Sequence, residues 1–451
     1  MTLSAFFVWA AASVVPQSAD DFDKARLDNW HQWRGPDGNG LAPRGDPPVE
    51  WGESKNIRWK VEVQGAGSAT PIVWGERIFL LTASDTGRKP GDAAGTPAPK
   101  PAPPAGRPGG RGMSTPVPTT LYRFEILCLD RKTGKEIWRR TAVEQVPHEG
   151  HHPTHGYASA SPATDGKRLV VSFGSRGVFG CDLEGNVSWK VDLGDMRTKV
   201  GFGEGSSPVL HAGSVLVNWD HEAGSFIVCL DAATGREKWR QARDEGTTWV
   251  TPFVVDHAGV AQVVVNASKR TRSYEFATGK LLWECGGQAQ NPIPTPVARE
   301  GVVYCMTGYR GFAITAIRLD SKGDVTDSPQ VAWKRTDVAP YVASPILAGD
   351  LLYFTKERQG LLSCVDAATG EVRYGSERLP GIDTVYASLV GAAGRIYIVG
   401  RNGTTAVLKQ GPKFEVLATN PLAEGIDASP VVVGKHLYLR GAKHLYCIGA
   451  E

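Results

Sequence analysis

The residues of this chain best suited to chemistry gather in two recurring kinds of segment. Short turns carry arginine: GSRG (Arg176), SKRTR (Arg270 and Arg272), GYRG (Arg310), KERQG (Arg358) and GRNG (Arg401). A guanidinium offers a planar fork of donors that matches a carboxylate bidentately, so a ring of such groups suits an anionic ligand. Surface hairpins also carry arginine for solubility alone. The second kind of segment includes HHPTHGYASASP, KVGFGEGSSP, DEGTTWVTP and DVAPYVASP. Such segments supply aromatics (Tyr157, Phe202, Trp249, Tyr341, Tyr386), acids (Glu204, Asp383, Asp427) and the amide of Asn291. Aromatic surfaces with a few convergent polar groups are the make-up of a binding pocket, although strand ends carry the same residues for packing.

Two further groups could do chemistry. HEGHHPTH sets His148, His151, His152 and His155 within one short stretch. Neutral imidazole ligates zinc or copper, which makes His151, His152 and His155 the metal candidates, but the spacing matches no helical zinc motif and no metal is expected. NWDHEAG sets Asp220 beside His221, an acid–base pair by type. No nucleophile with a neighbouring base can be singled out, so no catalytic residue is assigned.

What positions these residues is a repeat. CLDRKTGKEIW (Cys128 to Trp138), CLDAATGREKW (Cys229 to Trp239) and CVDAATGEVRY (Cys364 to Tyr374) are copies of one turn, with looser versions ending at Trp189, Trp283 and Trp333. A Ser-Pro or Thr-Pro followed by apolar residues, a Gly turn and another apolar run recurs in step. It begins at Thr70, Ser161, Ser207, Thr251, Thr295, Ser344 and Ser429, with a copy at Ser388 that has Leu389 in place of proline. From Ser161 onward the copies lie 41 to 49 residues apart. That period suits four short antiparallel strands per unit, as in a propeller blade.

In the third unit SPVLHAG predicts the innermost strand, where proline is tolerated at an edge, SVLVNW and SFIVCLD the next two, and Trp239 opens the outermost. An indole at that place is large enough to fill the wedge between blades. Trp138, Trp189, Trp239, Trp283, Trp333 and Tyr374 are therefore read as packing. The last unit ends before its fourth strand, and NIRWKVEV (Asn56 to Val63), with Trp59, offers the missing one. The expected fold is all-β, an eight-bladed propeller of four-stranded antiparallel blades with the last blade closed by an N-terminal strand. The connections entering each unit and the arginine turns then share one face, at the channel mouth.

The Pro-led strand combined with the Asp-x-x-Thr-Gly-x-x-x-Trp turn resembles the repeat of the pyrroloquinoline-quinone-like (PQQ-like) β-propeller proteins. The resemblance runs from about Asn29 to the C-terminus, because NWHQWRGPDGNG is similar to the opening of secreted bacterial members. It implies relatives of two classes: quinoprotein dehydrogenases, and the lipoprotein B subunit of the outer-membrane assembly machine. The first class would stack PQQ on an aromatic at the channel beside a calcium ion, for which Glu204, Asn291 and Asp427 are suitable by type. The adjacent cysteine pair of many quinoprotein alcohol dehydrogenases is missing. A non-catalytic exported protein that binds a protein partner or an anionic or carbohydrate-like ligand is the favoured reading, with no cofactor. A PQQ-dependent oxidoreductase acting on an alcohol or sugar is the alternative.

Net charge is +3 over 451 residues, too mild to argue for nucleic acid. The apolar start, residues 1–19, reads as a signal peptide cut near Ala19, with 20–55 as an extension and 56–451 as the propeller. A periplasmic or secreted monomer follows, with no transmembrane segment in the mature chain and no cysteine to carry a lipid. Residues 84–120, rich in Pro, Gly and Ala, read as a disordered insert in blade 1. The seven cysteines suggest core residues rather than a disulfide framework, Cys285 and Cys305 being the only pair placed to meet.

Overall fold

The computed structural model describes residues 19–92 and 115–450. Eight antiparallel sheets form a ring, which is the eight-bladed propeller expected from the repeat. Blade 3 shows the unit, with strands Val209–His211, Ser214–Trp219, Phe226–Asp231 and Glu237–Ala242 paired in order. Every residue of Ser214–Trp219 is buried, because blades on both sides cover the second strand. The ring closes as predicted, Ile57–Glu62 pairing antiparallel with His444–Ile448 as the outer strand of blade 8.

The repeated turn works through its aspartate and glycine. Asp231 Oδ1 accepts from the backbone N–H of Ala233 and Thr234 and from the Thr234 hydroxyl, and Gly235 follows at φ 71°. The turns at Asp130 and Asp366 are built alike. Glycine is needed for a second reason besides its positive φ. The indole of the preceding blade lies against its Cα: a Cβ on Gly235 would stand 2.7 Å from Trp189, and one on Gly134 2.7 Å from Trp59. Each of these indoles also donates to the carbonyl of the residue after the turn acid, Trp59 to Arg131, Trp138 to Leu183, Trp189 to Ala232, Trp239 to Phe276 and Trp333 to Ala367, over 2.8 to 3.2 Å. Trp283 departs from this because the following turn is stretched, and its Nε1 donates to Gln262 in its own blade. Tyr374 meets Phe414 of blade 7 edge-on.

The Ser or Thr that opens each unit, before a proline in all but the Ser388 copy, forms a second ring at the channel. Thr70 N–H donates to the Ser161 hydroxyl, Ser161 to Ser207, Ser207 to Thr251, Thr295 to Ser344, Ser344 to Ser388, Ser388 to Ser429, and Ser429 back to Thr70, over 2.9 to 3.1 Å. Between blades 4 and 5 the sense reverses, and the Thr295 hydroxyl donates to the Thr251 carbonyl at 3.4 Å. These are buried N–H groups at inner edges that have no further strand to pair with, so the hydroxyls supply the missing acceptors.

The N-terminal extension is part of this body. Leu41–Ala42 adds a parallel strand to the inner edge of blade 7, and Trp30 pairs with Val73 of blade 1. Arg34, 2% exposed, donates to the carbonyls of Leu389, Asn39 and Pro345, so it joins blades 6 and 7 from within the channel.

The blade 1 strand Arg77–Asp85 runs into the segment 84–120 expected to be an unstructured insert, paired with Tyr122–Asp130 just beyond it. Thr86 N–H donates to the Leu121 carbonyl and Leu121 N–H to the Arg88 carbonyl, so the ordered pairing continues to Arg88. Long paired strands override the Pro/Gly-rich composition at its ends. Residues 93–114 and the expected signal peptide up to 18 lie outside the described residues. All seven cysteines are free and buried. No helix among the described residues is long and apolar enough to cross a membrane.

Candidate functional site at the channel mouth

The connections entering the blades converge on a cavity of about 1140 Å³, including its part open to solvent. Phe202, Trp249, Tyr341, Arg358, Tyr386 and Asp427, all expected at this mouth, line it. The ring hydroxyls of Ser161, Ser207 and Ser388 contribute to its wall, and Trp33 reaches it from the N-terminal extension. Neither contribution was legible as a site. The hydroxyls read as strand starts, and the motif around Trp33 carried no spacing that would place it in the channel.

The aromatics are held in place. Trp249 Nε1 donates to the Gly203 carbonyl at 2.7 Å, and Tyr341 stacks on Tyr309 with ring centroids 4.8 Å apart. Arg401 lies 4.1 Å over the Tyr386 ring and grips both carboxylate oxygens of Asp427 at 2.6 and 2.9 Å.

The expected ring of guanidinium groups does not form, because most of them are spent on acids of their own chain. Arg176 is 7% exposed, pairs with Asp195 and donates to the Val146 carbonyl. Arg270 bonds Asp324 at 2.7 Å, and Arg272 reaches Asp244, Glu245 and Glu284 within 2.9 Å. Arg310 is exposed beside Tyr309 and Arg358 is exposed at the cavity, and neither makes an ion pair among the described residues. Asp383 is exposed outside the cavity lining, its carbonyl accepting from Gly360.

Asp220 and His221 do not act as a pair. Asp220, fully buried, binds Arg243 at 2.7 and 3.1 Å and accepts from the Thr248 hydroxyl. His221 Nδ1 accepts from the Arg197 N–H at 3.0 Å, and burial lowers its pKa. The turn folds inward under the next connection, which turns both side chains into supports.

The three candidate histidines diverge as well. His151 Nδ1 donates to the His152 carbonyl, and His152 Nδ1 contacts the Thr154 hydroxyl. His155 has both ring nitrogens engaged, with the Glu204 carbonyl and Ser159, and burial lowers its pKa to about 4.

Tyr157, Arg176 and Glu204 face a second, narrower cavity beside the first, of about 600 Å³ including its part open to solvent. The Glu204 carboxylate accepts from the Ser175 N–H at 2.6 Å and from its hydroxyl. Burial pushes that carboxyl up to about 8. Asn291 is buried beside Tyr341, and its Oδ1 accepts from Lys199 Nζ at 2.9 Å.

The three groups suited to a calcium–quinone centre therefore fail to converge on one seat. Asn291 already faces an ammonium, Asp427 is neutralised by Arg401, and Glu204 belongs to the other cavity. A divalent cation beside Lys199 Nζ would meet repulsion instead of a ligand set.

An eight-bladed ring of Pro-led strands and Asp-x-x-Thr-Gly-x-x-x-Trp turns defines a PQQ-like β-propeller. The family model described as outer membrane protein assembly factor BamB matches residues 122–376, and the chain belongs to that family. Among solved structures it is similar to a europium-containing methanol dehydrogenase, with 11% identity, a TM-score of 0.64, and 94% of this chain and 92% of that chain covered. It is similar also to quinohemoprotein alcohol dehydrogenase from Comamonas testosteroni, with 11% identity, a TM-score of 0.58, and 96% and 82% of the two chains covered. BamB from Moraxella catarrhalis matches with 13% identity and a TM-score of 0.49, over 71% of this chain and 91% of that one. At these identities the likeness is one of fold. No curated protein sequence matches the chain.

Proposed function

We propose that this chain is a non-catalytic, exported propeller that receives an anionic or carbohydrate-like ligand, or an acidic segment of a partner protein, in the mouth cavity. One observation carries the reading: Arg358 is the lining guanidinium without an ion pair among the described residues, and it stands among Trp249, Tyr341, Tyr386 and Phe202. Aromatic faces take rings or apolar side chains, while a free guanidinium fork takes a carboxylate or other anion. Membership of the family described by an outer-membrane assembly factor supports a protein partner and a periplasmic place of work. The seat of Lys199 against Asn291 argues against the quinone alternative.

Intrinsic fluorescence is a suitable probe, since Trp33 and Trp249 both line the cavity. Titration with acidic, aromatic-containing peptides and with uronic acid oligosaccharides is expected to give a saturable change for one of the two sets. The change weakens tenfold or more in Arg358→Ala and Tyr341→Ala and with added salt. Binding that ignores both substitutions would overturn the proposal.

A further inference from the structure

The second cavity holds a set of groups that the mouth does not use. His148 and Glu149 come from the connection between blades 1 and 2, and Glu204 from the connection between blades 2 and 3. One ligand atom from each lies within 4.8 Å of the others. His148 Nε2 stands 3.7 Å from Glu204 Oε1 and 2.5 Å from the Met196 carbonyl oxygen. The 3.7 Å separation is near that between neighbouring ligands of a small cation whose bonds are each about 2 Å long, and the Met196 contact is a hydrogen bond from Nε2–H that an ion at this place would displace.

The surroundings are those of a metal site. Ligating imidazoles characteristically present their other nitrogen to a carboxylate, and His148 Nδ1 faces Asp195 Oδ1 at 3.8 Å. Asp195 is in turn held by Arg176, so that positive charge is already matched. Ser175 and Thr198 orient the two glutamates, Thr198 donating to Glu149 through its hydroxyl at 2.5 Å and its N–H at 3.1 Å.

A separate observation points to an occupant. Asn218, 1% exposed, lines the same cavity; its Nδ2 donates to Thr248 and Val250, and its Oδ1 has no donor. A buried acceptor of this kind calls for a donor from the cavity, and a water carried by a metal ion is one.

We infer that His148, Glu149 and Glu204 bind one divalent first-row transition ion, of which zinc is the probe. A donor set of one imidazole and two carboxylates selects zinc or manganese over calcium and magnesium, which take all-oxygen shells. The ion would clip together two of the connections that shape the mouth. This site is independent of the mouth ligand proposed above.

The test is zinc titration of the full chain without a histidine tag, followed by calorimetry and by the visible band of the cobalt(II) form. One ion per chain is expected, with affinity falling tenfold or more in His148→Gln, Glu149→Gln and Glu204→Gln and unaffected by the double change His151→Gln/His152→Gln. Glu149→Gln serves if the Glu204 variant does not fold. The proposal is overturned by binding that survives His148→Gln and Glu149→Gln, by loss confined to the His151/His152 variant, by equal competition from calcium, or by no stoichiometric uptake.

Discussion

Lys199 Nζ donates to Asn291 Oδ1 at 2.9 Å, an ammonium held where a bound cation would need that oxygen as a ligand. The consequence is measurable by linkage, since any ligand taken up only by the folded state raises the unfolding midpoint. The thermal midpoint of the chain is expected to stay unchanged in saturating PQQ and calcium. A concentration-dependent rise that needs the metal would restore the dehydrogenase reading.

Trp59 and Gly134 close the ring between the N-terminal strand and blade 1. A methyl on Gly134 would meet Trp59 at 2.7 Å, at a backbone φ of 71°. Gly134→Ala is expected to destabilise by about 2 kcal/mol or more, combining overpacking with a strained φ. Gly75, at φ 56° with nothing near its would-be Cβ, is the control, and Gly75→Ala is expected to lose about 1 kcal/mol. Urea midpoints compare the two. Equal losses would mean that the indole contact adds nothing.

Asp220 and Arg243 are a fully buried pair, with the Tyr274 hydroxyl also on Arg243. Removing one partner strands the other charge, and Asp220→Ala is expected to destabilise by about 3–5 kcal/mol. The double change Asp220→Ala/Arg243→Met should recover much of that. Denaturant unfolding checks both, and a mild effect of Asp220→Ala would show that Arg243 is not left with an uncompensated charge when the acid is removed.

His31, in the N-terminal extension, is buried with its pKa lowered to about 3, first by desolvation and then by the charges of Arg26 and His211. Phe22 and Trp74 pack against its ring. Its ordinary pKa in the unfolded chain is near 6.5. Above that value neither state carries the proton and nothing is lost. As pH falls from 6.5 toward 3 the unfolded chain takes up a proton that the folded one refuses, so stability declines through that window. His31→Phe is expected to flatten this part of the pH–stability curve, measured by thermal midpoints between pH 7 and 4. An unaltered slope would place the acid sensitivity on other groups.

Blade number, the Trp-bearing strand, the turn aspartate and glycine, and closure by Asn56–Val63 were all legible in the chain, because each is a local pattern repeated until its period is unmistakable. The aromatic mouth residues could be found for the same reason, as departures from that period. The fate of the arginines could not. Arg176 meets Asp195, Arg270 meets Asp324 and Arg401 meets Asp427. None of these acids stands in the turn that bears its arginine, and composition does not say which charges will face each other. Arg34 bonds carbonyls 311 and 355 residues away, and His148 finds Glu204 instead of the histidines beside it. Sequence determined the ring by itself, since blades are built from short-range hydrogen bonds and alternating burial. Only tertiary structure decided which polar groups in the channel were neutralised and which were left free, since that depends on side chains brought together from different blades.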